Sequence, residues 1–435
     1  MSLPEFISRE RQLAALYRLL AAVAGQTGPA PARTVLVGGR RRVGKSRLVE
    51  EFLARALVPH VYLSAAAGPV TADLVRRFVE QAAVLPVDEP SVLVIDDLPA
   101  PAAGEAGFEP ALRKYLETEL SGRQILLIVI GIDPFTAFGP GDAELLLEPL
   151  TPSEIGAWLQ LSAADAFEAY LVTGGLPQIV AEWPVGAVLP EYLDEAVRSP
   201  TSALVVSGER VLAAEFPSQA QARLVLAAIG SGARTFANIG RAAGNPQQGS
   251  LSRALTALRD KHVVAADVPL SALKSSETRY RVADPDLGFW LAWIGPHLAE
   301  IERGRGDLVL EAWQQAWPDW RARAVQPVLR EALDLLLFGS SEAGVVGAYW
   351  TRSGKPEIDV VIADRAPIAE RLIALGSIKW RDGEKFGEQD YGELLVRRTQ
   401  ITGTDERTSL FAVSRSGASV PGLRIYSPEE LLDSW

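Results

Sequence analysis

The segment Gly39-Arg40-Arg41-Arg42-Val43-Gly44-Lys45-Ser46 sets two glycines, a lysine and a hydroxyl at the spacing G-x-x-x-x-G-K-[S/T]. That pattern suits polyphosphate, because successive backbone N–H groups and a helix N-terminus converge on the anion. Gly39, Arg42, Val43, Gly44, Lys45, Ser46 and Arg47 are the expected nucleotide-contacting residues. Lys45 reaches the terminal phosphates and serves catalysis, and Ser46 offers its hydroxyl to Mg²⁺. About fifty residues downstream, Ser91-Val92-Leu93-Val94-Ile95-Asp96-Asp97 is an apolar run closing on two acids. At that distance from the loop, Asp96 is expected to hold Mg²⁺ through water and Asp97 to polarise the attacking water.

These residues need a scaffold, and the flanking sequence describes one. Thr34 to Val37 reads as a buried strand ahead of the loop. Leu48, Val49, Phe52, Leu53 and Ala56 recur at helical spacing after it. His60 to Ser64 is a strand candidate between the loop and the acidic pair, the mark of the additional-strand P-loop ATPases as opposed to kinases and GTPases. Gln124 to Gly131 and Glu144 to Leu147 supply two more strands, and Thr71–Val84 and Glu109–Leu120 are helix candidates. The alternation predicts a parallel, three-layered α/β domain with its ligand at the carboxyl ends of the strands.

At 435 residues the chain is too long for one core, and its 48% hydrophobic content with 22% charged residues describes a folded protein. It has no cysteine, which excludes disulfides, thiolate catalysis and cysteine-ligated metals. His60, His262 and His297 are far apart and lack ligand spacing. The N-terminus has no signal-peptide pattern, and the apolar stretch Ile125 to Ile132 is far short of the ~20 residues that cross a bilayer. A cytoplasmic protein without membrane association is the expectation. A net charge of −11 argues against broad polyanion binding and leaves a local basic face open.

Beyond the first domain, Pro149 to Glu154 is a proline-marked junction, with Thr151 or Ser153 as helix cap. Helices then follow to about Phe216, broken by Gly174-Gly175. From Ser218 the pattern suggests a winged helix-turn-helix: helices over Gln219–Ile229, Phe236–Ala243 and Ser250–His262, then wing strands at Val263–Ala266 and Thr278–Val282. Arg253, Arg259 and Lys261 lie on the third helix, the one that would enter a major groove. Packing of the module as a scaffold is the equal alternative. Three strand-like blocks follow: Val346–Trp350, Glu357–Val361 and Leu375–Trp380.

Together these markers resemble the archaeal-type AAA+/STAND-like P-loop ATPase family. Phe6-Ile7-Ser8-Arg9-Glu10 with Leu13 and Leu16 is similar to its entry motif, Gly39–Arg47 to its loop, and Thr173-Gly174-Gly175-Leu176-Pro177 to the turn of its helical lid. Arg279–Pro285 with Phe289-Trp290 looks like the end of its winged helix. The resemblance implies an ATPase core over residues 1–150, a helical lid over 151–216, a winged helix-turn-helix over 217–296 and a PD-(D/E)xK-like α/β domain over 297–435. ATP and Mg²⁺ are the implied cofactors. Double-stranded DNA, a protein partner and a second copy of the chain are the partners to be weighed.

Departures from the family pattern refine these expectations. Ser8 replaces a glycine, Asp97 replaces the usual glutamate, and Gly131-Ile132-Asp133 stands where relatives carry a serine-rich sensor. Slow hydrolysis is therefore expected. Arg113 and Arg123 are arginine-finger candidates by position alone. In the C-terminal domain Asp359 and Lys379 hold two places of the nuclease pattern, while Ser377 and Gln326 stand where it has glutamates, and Glu357 is the one carboxylate offered as a substitute. A non-cleaving domain with a vestigial site is expected. The leading reading is an ATP-dependent switch; an ATP-regulated nuclease and a non-hydrolysing, nucleotide-sensing DNA-binding regulator are the alternatives.

Overall fold

Apolar strands and amphipathic helices assemble the chain into two compact units, one of residues 1–150 with 176–181 and the other of residues 151–175 with 182–435. The computed structural model describes residues 6, 9–24, 33–64, 80–98, 118, 123–131, 143–216, 220–230, 232, 234–275, 277–339 and 344–435. Ser8, Arg113, Ile132, Asp133 and most of the expected helices Thr71–Val84 and Glu109–Leu120 lie outside them.

The first unit holds β1 (Arg33–Gly38), β2 (His60–Ser64), β3 (Ser91–Leu98), β4 (Ile125–Gly131) and β5 (Ala143–Leu146). All pair in parallel, in the order β2-β3-β4-β1-β5. Every residue of β4 is buried, as a strand covered on both faces requires. On one face Val35, Val37, Val92, Val94, Leu126 and Ile128 meet Leu13 and Leu16 of the helix Glu10–Ala24 and Leu48, Val49 and Phe52 of the helix Lys45–Ala56. The periodicity that marked the second of these helices is the periodicity that buries it. β2 lies at one edge of the sheet, beside β3.

In the second unit Thr151 caps the helix Pro152–Leu159 in a capping box: its side chain accepts from the Glu154 N–H, and Glu154 accepts from the Thr151 N–H. The helices Ala163–Thr173, Leu189–Arg198 and Ala203–Glu215 follow. Next come the helices Ala220–Ile229, Phe236–Ala242 and Gln248–Asp260 with β6 (Arg234–Thr235), β7 (Val264–Asp267) and β8 (Arg279–Val282), which form an antiparallel sheet in the order β6-β8-β7. Thr235 caps its helix through the Asn238 N–H.

A tryptophan-rich layer fills the middle of this unit. Phe289 meets Trp317 and Trp320 edge-on, and Trp317 stacks on Trp320 at 5.3 Å. The helix Gln326–Leu337 leads into β9 (Val345–Tyr349), β10 (Ile358–Ala363) and β11 (Leu372–Lys379), an antiparallel meander. The helix Glu388–Gln400 then returns the chain to β12 (Ser409–Ser414), parallel to β11, with β13 (Arg424–Tyr426) parallel beside it.

A partly buried ion network ties four distant segments of the second unit together. Arg321 donates to Glu168 Oε1 at 2.7 Å and to Asp382 Oδ2 at 2.8 Å. Arg415 donates to the same Glu168 oxygen at 2.9 Å, to Asp165 Oδ1 at 2.9 Å, and pairs with Asp382. Burial disfavours the Arg321 charge, but Glu168 and Asp382 outweigh it and raise its affinity for the proton. The helix Ala163–Thr173 thereby belongs to the same body as the C-terminal sheet.

Candidate nucleotide site

The loop between β1 and the helix Lys45–Ala56 takes its shape from residues with left-handed backbone. Gly39 has φ 134°, Arg42 φ 71° and Gly44 φ 94°. At Gly39 a Cβ would lie 2.3 Å from the Leu147 carbonyl oxygen, so the first glycine of the motif is required by its neighbour as well as by its torsion. Val43 is fully buried and anchors the loop to the core, leaving its backbone for a ligand. Gly44 opens the helix with no side-chain cap, so the first N–H groups remain donors for an anion.

The Lys45 ammonium donates to the carbonyls of Gly39 at 2.7 Å and Arg40 at 2.8 Å. Burial lowers its pKa; Asp96 and Asp97 act against that shift, and Arg41 adds to it. The loop lysine and both acids therefore share one electrostatic neighbourhood, although about fifty residues separate them in the chain. Arg47 points to the outer side of the helix, where it pairs with Glu51 at 3.0 Å and covers the Phe6 ring.

Asp96 is nearly inaccessible, with 6% of its surface exposed. Its Oδ1 accepts the Asp97 N–H at 2.7 Å, and its Oδ2 accepts the Tyr62 hydroxyl. Asp97 is exposed, has φ 55° and sits where the β3–β4 register shifts. That left-handed turn aims the two neighbouring carboxylates differently: one is fixed inside, and the other is free to meet solvent. Burial raises the Tyr62 phenol, the hydrogen bond and charge of Asp96 raise it further, and a hydrogen bond with Ser46 opposes the rise.

Tyr62 was not among the expected site residues. Its place in an apolar strand reads as core, and the usable signal was that a half-buried phenol needs a hydrogen-bond partner. Pro177 is a second addition: its Cγ lies 3.6 Å from the Cβ position of Gly44. Arg123, a finger candidate by position, donates to the carbonyls of Ala82 and Leu85 within its own unit.

Ser46 and Asp96 are hard oxygen donors that fit Mg²⁺, an ion that retains waters and is usually bound through one or two protein oxygens plus phosphate. Among the described residues no group of three or more His, Asp or Glu could hold a metal ion by itself.

The remaining candidates lie in the second unit. Arg253, Arg259 and Lys261 are exposed on or just beyond the helix Gln248–Asp260, with Arg241 exposed on the preceding helix. Lys261 also covers the Phe216 ring at 5.2 Å. The connection between β7 and β8 is held by the C-terminal sheet. Leu270 enters the core of β10 and β11 and donates its N–H to the Ala348 carbonyl at 2.8 Å. Arg279 grips Glu357 through two hydrogen bonds and lies over Trp350.

Asp359 Oδ2 accepts the Ser377 hydroxyl at 3.1 Å and the Ile378 N–H at 2.9 Å, and its Oδ1 faces Gln326 Nε2 at 3.5 Å. Burial raises the Asp359 carboxyl despite these donors. Lys379 turns to Asp390 at 2.8 Å. Glu357, which strand alternation set beside Asp359, precedes β10 and is engaged by Arg279.

Comparison with known proteins adds an outline. Residues 290–390 match a family described as "Archaea bacterial proteins of unknown function". An uncharacterized protein of Methanocaldococcus jannaschii is 21% identical over 413 residues, covering 87% of this chain and 90% of that one. Among solved structures, Cdc6p of Pyrobaculum aerophilum aligns at 15% identity over 71% of this chain and 97% of its own, with a TM-score of 0.29. The RuvB Holliday junction branch migration motor of Thermotoga maritima aligns at 16% identity over 62% of this chain and 92% of its own, with a TM-score of 0.32. No helix among the described residues is long and apolar enough to cross a membrane.

Proposed function

We propose that the protein is a Mg²⁺-dependent, ATP-binding switch that hydrolyses ATP slowly. The observation that carries this reading is the convergence of the phosphate loop, its Lys45 and the pair Asp96–Asp97 at the carboxyl ends of β1 and β3. Gly39, Arg42, Val43 and Gly44 would offer backbone to the phosphates, Lys45 its charge, and Ser46 and Asp96 would hold Mg²⁺. Bound there, the ion would neutralise charge on the β- and γ-phosphates. Asp97 would orient water; its exposure and short arm speak for slow turnover. The chain passes from one unit to the other directly after Gly174 and Gly175, both left-handed, which supports a nucleotide-governed rearrangement.

Steady-state ATP hydrolysis and ADP binding test the reading. Lys45→Ala should lose nucleotide affinity, and Asp97→Ala should bind but not turn over. Gain of activity in Asp97→Glu over a silent wild type would favour the nucleotide-sensing regulator. Equal ADP affinity in wild type and Lys45→Ala would sink the proposal.

DNA association has support of its own in the exposed Arg241, Arg253 and Arg259 of a winged-helix-like module. With the connection between β7 and β8 held by the C-terminal sheet, contact would rest on the helix Gln248–Asp260 rather than on a wing. Duplex binding that weakens with salt, and is lost in Arg253→Ala/Arg259→Ala, is the expected sign. The C-terminal order of helix, three antiparallel strands, helix and parallel strand speaks for a PD-(D/E)xK-like domain. The protein donors on Asp359 and the pairing of Lys379 with Asp390 speak for one that does not cleave.

A further inference from the structure

The geometry points to Tyr62 as a positioning residue that holds the Asp96 carboxylate in place for magnesium; the inference rests on the nucleotide-site reading above. The phenol has a single proton, and that proton goes to Asp96 Oδ2. The result is a carboxylate held at both oxygens, by the Asp97 N–H at Oδ1 and by the Tyr62 hydroxyl at Oδ2.

Asp96, fixed on one side by the Asp97 N–H and on the other by Tyr62, has little rotational freedom left. Tyr62 reaches this place because β2 pairs in parallel with β3 and sets Tyr62 beside Val94, two residues ahead of Asp96. This edge strand thus contributes a side chain to the site as well as width to the sheet. Replacing the phenol by phenylalanine keeps the ring and deletes this bond, leaving one oxygen of a buried carboxylate without its donor.

The test is the magnesium-dependent gain in ADP affinity, measured by calorimetric titration in magnesium chloride and again in EDTA. In Tyr62→Phe that gain should fall about ten-fold, the effect of losing a hydrogen bond to a charged group, with affinity in EDTA retained. An equal loss with and without magnesium would mean that Tyr62 only supports the fold, and would overturn the inference. So would an undiminished magnesium gain in Tyr62→Phe. If wild type binds ADP with no magnesium gain, the metal site itself is misread; if it does not bind ADP, the nucleotide reading fails first.

Discussion

Removing Arg321 from the ion network probes how the second unit is held together. Its side chain is 3% exposed and that of Glu168 is 7% exposed, so Arg321→Met leaves a carboxylate inside with one cation fewer. Breaking a buried pair costs about 3–5 kcal/mol. Arg415 still reaches the same Glu168 oxygen, which places the expected loss near the lower end, ~3 kcal/mol. The Asp382 side chain is 61% exposed and regains water, so Asp382→Ala should cost under about 1 kcal/mol. All ten tryptophans lie between residues 158 and 435, so intrinsic fluorescence during urea unfolding reports this unit alone. The shift of the unfolding midpoint at constant slope gives the difference. A midpoint for Arg321→Met within about 1 kcal/mol of wild type would refute the assignment of Glu168 as a buried charge that depends on it. A loss in Asp382→Ala as large as that in Arg321→Met would refute the ranking by exposure.

Three further outcomes are expected. Gly39→Ala forces a Cβ to 2.3 Å from the Leu147 carbonyl at φ 134°, so ADP affinity should drop about ten-fold or more, and unchanged binding in a calorimetric titration would contradict the loop geometry. Gly174→Ala meets Asp286 Oδ1 at 2.4 Å and φ 56°, with an expected loss of about 2–3 kcal/mol in the fluorescence-detected unfolding midpoint; a silent substitution would show that Asp286 is free to move away. Because burial raises the Asp359 pKa in the folded protein, the fold binds that proton more tightly than the unfolded chain, and its contribution to stability falls as pH rises from the unfolded carboxylate's ~3.9 through the raised value. Asp359→Asn should flatten that part of the stability–pH curve and stay within about 1 kcal/mol of wild type at neutral pH. A larger loss at neutral pH would mean that the ionised form is needed.

Local chemistry was readable from the chain, and long-range partnership was not. The glycine loop, the strand ending in Asp96 and Asp97, and the helix carrying Leu48, Val49 and Phe52 follow from spacing and periodicity, which are properties of neighbouring residues. Thr151 was recognisable as a cap candidate for the same reason. Tyr62 was hidden because a tyrosine in an apolar strand has the same pattern whether its hydroxyl meets water or a carboxylate. Glu357 misled: alternation set it beside Asp359, but its partner is Arg279, 78 residues earlier in the chain. The anchoring of Leu270 in the C-terminal core was equally invisible, since an apolar residue between two strands does not name the sheet that receives it.

The route of the chain between its units has a consequence for biosynthesis. The first unit takes residues 1–150 and then needs 176–181, which arrive only after the first segment of the other unit has been made. Pro177, the residue beside Gly44, belongs to that late piece. A nascent chain stopped at the end of β5 therefore presents a phosphate loop without its last neighbour. Vectorial folding, amino-terminal unit first, is interrupted here: the unit begun first at the ribosome is completed only when the second is already under way. A truncation at residue 150 would reproduce that unfinished intermediate rather than an autonomous domain.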